Sequence, residues 1–355
     1  MSTYRLDRSF EWNFRNGPDY HRRFPSLPVT SKKEFLGIPT NSRVGLAASV
    51  LVNDRWVETY SRLGYDLLTY KTVRLTERRC HSFPNWVFVK GDVSEASLEK
   101  STALLKRRRD HTDPLELTGA GSFGMPSKSP DFWIEDIAKS RKNLLKNQIL
   151  IVSVVATPRP GMSGQSVIDE YGTLAAMVVG AGAQVVEANL SCPNVTTGEG
   201  ELYLDTTMVG LIAKTLRERA GGVPVTLKLG YVADDKLLAS ILQSANGFGD
   251  AIVLMNGVNS RVINQKGRPV FGPGRETCGV TGAGIHKLAA GFVRRAIRII
   301  ERDRLEIKII ANGGVNSPES AATFFDSGAY AVTIASGAIF DPHLGIKIKN
   351  KHPEW

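Results

Sequence analysis

The segment Asn189-Leu190-Ser191-Cys192-Pro193-Asn194-Val195 sets a thiol between a serine and a proline, with an asparagine on either side. A thiol is a poor structural choice in a loop this polar. Isolated cysteines commonly serve as small buried hydrophobes; as a thiolate, Cys192 would instead be a general base or a nucleophile. The six histidines (His21, His81, His111, His286, His343 and His352) are scattered, and only His286 falls near a loop that can face the same region. That disfavours a cysteine–histidine hydrolase. No cysteines or histidines cluster at ligand spacing, so no metal is expected. Asn189, Asn194 and Asn256 each offer a donor and an acceptor. Together they suit a small, flat, amide-rich ligand such as a pyrimidine or imide, although each alone would also serve to cap a strand end or form a turn.

Two lysines, Lys71 and Lys228, close apolar runs. Each either snorkels to a rim or puts its ammonium into a site, where, beside a flavin, it would stabilise the anionic reduced ring. Gly313-Gly314 and Ser336-Gly337 follow two further apolar runs. They read as tight turns or as a phosphate cradle of backbone N–H groups. With no GxGxxG fingerprint present, a cradle points to a mononucleotide such as FMN or to a phosphorylated substrate.

These groups need elements to position them. Apolar runs cover 43–50, 66–73, 148–156, 183–190, 223–230, 250–257, 305–314 and 329–337, with helical patterns between most of them. The runs are continuous rather than alternating, as buried parallel strands are. Eight such units predict an α/β fold of the (β/α)8 TIM-barrel type, with a doubly wound sheet as the competing architecture. Lys71, Asn189, Cys192, Lys228, Asn256, Gly313 and Ser336 then fall at or just past strand C-termini, where barrels carry their chemistry. Residues 1–40 read as an irregular arm, 41–345 as the barrel, 72–130 as an insertion and 346–355 as a tail.

Composition excludes several classes. Lysine plus arginine outnumber acids by 45 to 35, a weak preference for anionic partners. The basic runs at Lys106–Arg109 and Lys139–Lys146 are short enough to be solvated faces, so no nucleic-acid partner is expected. Three cysteines, Cys80, Cys192 and Cys278, make neither a disulfide framework nor an iron–sulfur set and fit a reducing compartment. The start MSTYRLDRSF lacks an apolar signal core, and no stretch is apolar enough to span a bilayer. A cytoplasmic protein without membrane contact is the expectation.

The motifs resemble the dihydroorotate dehydrogenase family, in its soluble class 1 branch. NLSCPNV (189–195) is similar to the family's active-site segment, LLTYKTV (67–73) to the strand end bearing its flavin lysine, and GSFGMPS (121–127) to its substrate loop. VTLKL around Lys228, MNGVNS, CGVTGAG and the long segment from IIANGG to AIF follow in the family's order, so the similarity spans about residues 35 to 345. The resemblance implies a barrel carrying FMN. Cys192 would take a proton from C5 of a dihydropyrimidine while hydride leaves C6 for flavin N5, or would donate that proton in the reductive direction. Lys71, Asn189 and Lys228 would contact the flavin, with Ala47 and Ala48 near its ring. Gly282, Gly313, Gly314, Ser336 and Gly337 would line the cofactor, and Lys71 would share in catalysis. Asn189, Asn194 and Asn256, with Ser122, Met125 and Ser127 of the substrate loop, would bind substrate. A homodimer is implied, and a separate electron-transfer partner is compatible.

The chain departs from that pattern. The family has asparagine where this chain has Gly121 and Ser127, and a hydroxyl residue where it has Gly257; Cys278 takes a glycine position. Losing a partner for a buried polar group costs about 1–3 kcal/mol. A divergent member acting on another uracil-like or enamide substrate is therefore the first alternative. The others are a non-catalytic flavoprotein and a non-flavin phosphate-binding lyase using Lys228 as a Schiff-base lysine.

Overall fold

The computed structural model describes residues 2–94, 104–108, 113–159, 161–191 and 198–355. After helix α1 (Phe10–Asn16), strands β1 (Lys33–Phe35) and β2 (Ile38–Thr40) form a short hairpin. β3 (Val44–Leu51) and β4 (Leu67–Val73) open a barrel, and β5 (Trp86–Lys90), β6 (Leu104–Arg108) and β7 (Thr118–Gly121) leave it. The chain returns with β8 (Ile149–Val154), β9 (Val185–Asn189), β10 (Val225–Lys228) and β11 (Ala251–Leu254). It leaves again with β12 (Val258–Ile263) and β13 (Thr277–Gly282), and finishes with β14 (Lys308–Asn312) and β15 (Ala331–Ile334). β3, β4, β8, β9, β10, β11, β14 and β15 pair in parallel and close when β15 meets β3. These are the eight apolar runs, and the (β/α)8 barrel is the architecture.

Helices α2 (Asp54–Arg62), α3 (Pro130–Lys142), α4 (Gly164–Ala181), α5 (Thr206–Arg219), α6 (Asp235–Ala245), α7 (His286–Asp303) and α8 (Pro318–Phe325) lie between the strands. Their starts are coded locally. Asp234 accepts from Leu237 N at 2.7 Å, and Ser317 and Ser320 form a capping box ahead of α8, with proline in its first turn. The strands are buried on both faces, as in β8, where all six residues are buried. Short helices α9 (Ser336–Phe340) and α10 (Leu344–Lys351) end the chain. No helix among the described residues is long and apolar enough to cross a membrane.

Inside the barrel the side chains form layers. Leu67, Ile149, Ile151, Val185, Ala251, Val253, Ile310 and Ala331 make an apolar floor, plugged by Phe35 of the hairpin. Further along the strands the lumen also carries Thr69, Ser153, Glu187, Thr226 and Thr333, all buried. Above these lie the strand ends. At the opposite face of the barrel Lys349 of α10 meets Asp66 at 2.8 Å, with side chains 2% and 1% exposed.

A second, smaller barrel was not anticipated. β5, β6, β7, β12 and β13 close on one another, antiparallel except where β6 meets β12. Trp86 packs directly over Gly119, where an added Cβ would lie 1.7 Å from the indole. The arm also gains a helix, capped when Ser9 Oγ accepts from Trp12 N at 3.2 Å, and it is tied to the body by Thr3 N donating to Ile339 O at 2.9 Å.

Behind β4, Asp136 accepts from Tyr70 Oη at 2.6 Å and from Asp54 N at 2.9 Å. Burial pushes its carboxyl up to about 6; the Asp54 charge pushes the same way and the Tyr70 hydrogen bond opposes it. The folded protein therefore keeps a proton that the unfolded chain releases near pH 4. Stability from this group falls as pH rises from about 4 to about 6 and stays lost above. Asp136→Asn should remove that slope, gaining roughly 1–3 kcal/mol on wild type between pH 4 and pH 6.5. Urea denaturation at a series of pH values would show it, and a constant difference would refute it.

Candidate active site

A cavity of about 1350 Å³, mouth included, opens over the C-terminal ends of the main-barrel strands. Its floor is polar. Lys228 ends β10 and is 4% exposed, Asn189 ends β9 at 5%, and Asn312 ends β14 at 7%. Strand pairing sets Lys228 beside Asn189. Among the described residues no side chain or carbonyl accepts from the Lys228 ammonium. Lys71 joins them from β4. The asparagines are linked: Asn256 Nδ2 donates to Asn189 Oδ1 at 3.4 Å and also to Ser191 O. Asn189 Oδ1 also accepts from Ser191 N at 3.2 Å, and Asn256 Oδ1 from Gly257 N at 2.9 Å.

One end of the cavity is built from main chain. Gly313 and Gly314 turn sharply after β14, and Ser336 and Gly337 start α9 after β15. Gly314 has φ +70°, and a Cβ there would lie 2.6 Å from Gly282 O. At Gly337 it would lie 2.1 Å from Val315 O. Only glycine lets these loops approach so closely. His286 braces the turn from outside, its Nδ1 2.9 Å from Gly313 O, and burial lowers its pKa. Strand-end glycine turns beside a helix start form the arrangement that offers N–H groups to a phosphate.

The small barrel roofs the cavity with Trp86, Gly121, Gly279 and Thr281, and the arm walls one side with Tyr4, Leu6 and Phe10. Phe10 and Tyr4 hold Phe123 by edge contacts at 6.4 and 6.3 Å between centroids.

Of the residues singled out from the sequence, Ala47, Ala48, Lys71, Met125, Asn189, Lys228, Asn256, Gly282, Gly313, Gly314, Ser336 and Gly337 line this one cavity. Ser122 and Ser127 do not. The Ser122 hydroxyl is 3.3 Å from His81 Nδ1. Ser127 Oγ accepts from Arg74 N and donates to Lys128 O. Cys192 and Asn194 lie outside the described residues. Sequence reasoning missed Asn312, Thr281, Trp86 and which arm residues wall the cavity. Asn312 carried a signal, since it is the polar end of an apolar run. The arm carried only its aromatic residues, which can pack on the main body but do not show where.

A family model for dihydroorotate dehydrogenase matches residues 118–353. The chain belongs to the dihydroorotate dehydrogenase family. A dihydroorotate dehydrogenase of Dictyostelium discoideum is 31% identical, over 98% of this chain and 97% of that one. The catalytic subunit of a dihydroorotate dehydrogenase B (NAD(+)) of Bacillus pumilus is 26% identical over 72% and 77%. In fold the chain is similar to the Eimeria tenella dihydroorotate dehydrogenase solved with ferulenol, with TM-score 0.72 at 16% identity, covering 92% of this chain and 85% of that one. Membership makes the protein an oxidoreductase of the dihydroorotate dehydrogenase type; its cavity holds a buried lysine, paired amides and glycine turns beside a helix start.

Proposed function

We propose that the protein uses FMN to interconvert a 5,6-dihydropyrimidine, dihydroorotate or a close relative, with its C5=C6 unsaturated form. The observation that carries this reading is the convergence in one cavity of Lys71 and Lys228, the linked Asn189–Asn256 pair and the Gly313–Gly314 and Ser336–Gly337 turns. Bound FMN supplies the hydride acceptor. Lys228 and Lys71 favour negative charge on the ligand above them. Asn189 and Asn256 orient the pyrimidine amides, and Cys192 moves the proton at C5. The roof and the arm keep water from the reacting face. A cytoplasmic homodimer, with a separate electron partner where one is needed, belongs to the same reading.

The glycine departures are compensated unequally. A side chain at 257 would lie 3.2 Å from Thr281 Cγ2, and Thr281 itself lines the cavity. It offers a hydroxyl where Gly257 has none. Beside Gly121 the space is aromatic instead: an added Cβ would lie 3.1 Å from Phe123 and 3.5 Å from Trp86. That wall favours the second reading, a related cyclic substrate with a less polar edge.

Anaerobic bleaching of the flavin by dihydroorotate, compared with dihydrouracil and dihydrothymine, tests both. Bleaching by dihydroorotate at rates ordinary for an enzyme establishes the first. Bleaching only by another ring moves the substrate and keeps the chemistry. A purified protein without flavin absorbance would end the proposal. The cradle makes its own prediction. Gly337→Val should purify with flavin reduced at least tenfold in occupancy, read from the ratio of visible to protein absorbance; normal occupancy would refute the cradle.

A further inference from the structure

Directly below the cavity floor lies a carboxylate that the proposed chemistry does not use. Glu187 is 3% exposed. It stands on the lumen face of β9, two residues before Asn189 and opposite Thr226, itself two residues before Lys228. Its Oε1 has no hydrogen-bond partner. Barrel interiors are ordinarily filled with branched apolar side chains, and the layer beneath this one is. A buried charge is strongly destabilising unless something compensates it. The neighbouring uncompensated group is the Lys228 ammonium, one layer up on the adjacent strand. Groups of opposite sign that are each at least nine-tenths buried, without a direct partner among the described residues, and set on adjacent strands two positions apart are poorly screened by water.

We propose that Glu187 is a positioning residue: the counter-charge that faces Lys228 from under the cavity and limits how far that lysine favours negative charge on the ligand above. The layer violates the ordinary filling rule where a functional site is built, the place such violations are expected. The redox consequence rests on the flavin reading; the pairing of Glu187 with Lys228 does not.

Glu187→Gln keeps the shape and removes the charge. In flavin-loaded protein it should raise the flavin midpoint potential, because Lys228 then acts on the reduced ring without opposition. An unchanged or lowered potential in a variant with wild-type circular dichroism overturns the proposal. A role confined to packing would not move the potential. Should the protein hold no flavin, the cofactor reading falls and the pair is judged by a double-mutant cycle on thermal unfolding. The shifts of Glu187→Gln and Lys228→Met should then be non-additive, the double variant unfolding closer to wild type than their sum. Additive shifts overturn it.

Discussion

Cys192→Ala is expected to slow flavin reduction by the substrate by about 10²–10⁴-fold, the usual contribution of a positioned acid or base. Asn189 is on the cavity floor, Leu190 N donates to Lys228 O at 3.0 Å, and Asn256 holds Ser191 O. The chain is therefore fixed to the cavity up to the residue before the thiol. A group that only moves a proton should leave flavin content and midpoint potential unchanged. Stopped-flow reduction at saturating substrate separates this from weakened binding, since the loss should appear in the limiting rate. Cys192→Ser should recover a part of it above neutral pH. A variant that reduces its flavin at the wild-type rate would remove Cys192 from the chemistry.

The largest stability effect is expected at Lys349→Ala. The ammonium and the Asp66 carboxylate meet at 2.8 Å out of contact with solvent. Asp66 is further held by Ser42 Oγ at 2.5 Å and Asn41 Nδ2 at 3.3 Å. Deleting one partner of such a pair leaves a bare buried charge and costs about 3–5 kcal/mol. Lys349→Met with Asp66→Leu removes both charges and should be much less harmful than Lys349→Ala alone. Chemical denaturation of the three proteins decides it; equal losses in single and double variants would mean that the pair contributes through packing.

Much of this was legible because the main barrel writes itself locally. Each of its strands is an apolar run, and polar residues at run ends, such as Lys71, Asn189 and Lys228, mark the cavity floor. What stayed hidden is non-local. Two strands of the small barrel, β7 and β13, are short and carry Gly119, Gly121, Gly279 and Gly282 at pairing positions, so neither apolar period nor β-propensity announces those two. They become strands because Trp86 fills the space that glycine leaves. The arm is similar: Tyr4 and Phe10 look like any aromatic residues near a terminus until Phe123, over a hundred positions away, meets them. Thr281 was invisible as a neighbour of Gly257 in the cavity wall because it stands on a different strand.

The pairing of Gly121 with Gly279 also orders events in time. β7 cannot find β13 until β8 to β11 have been synthesised, and closing so long a loop carries an entropic penalty that local contacts do not share. The helices and neighbouring strands of the main barrel can assemble early, while the roof needs the chain through Gly282 and closure of the floor needs β15. Retention of a ligand that needs both floor and roof is thus deferred to the end of folding, and its capture would report a completed molecule rather than a collapsed one.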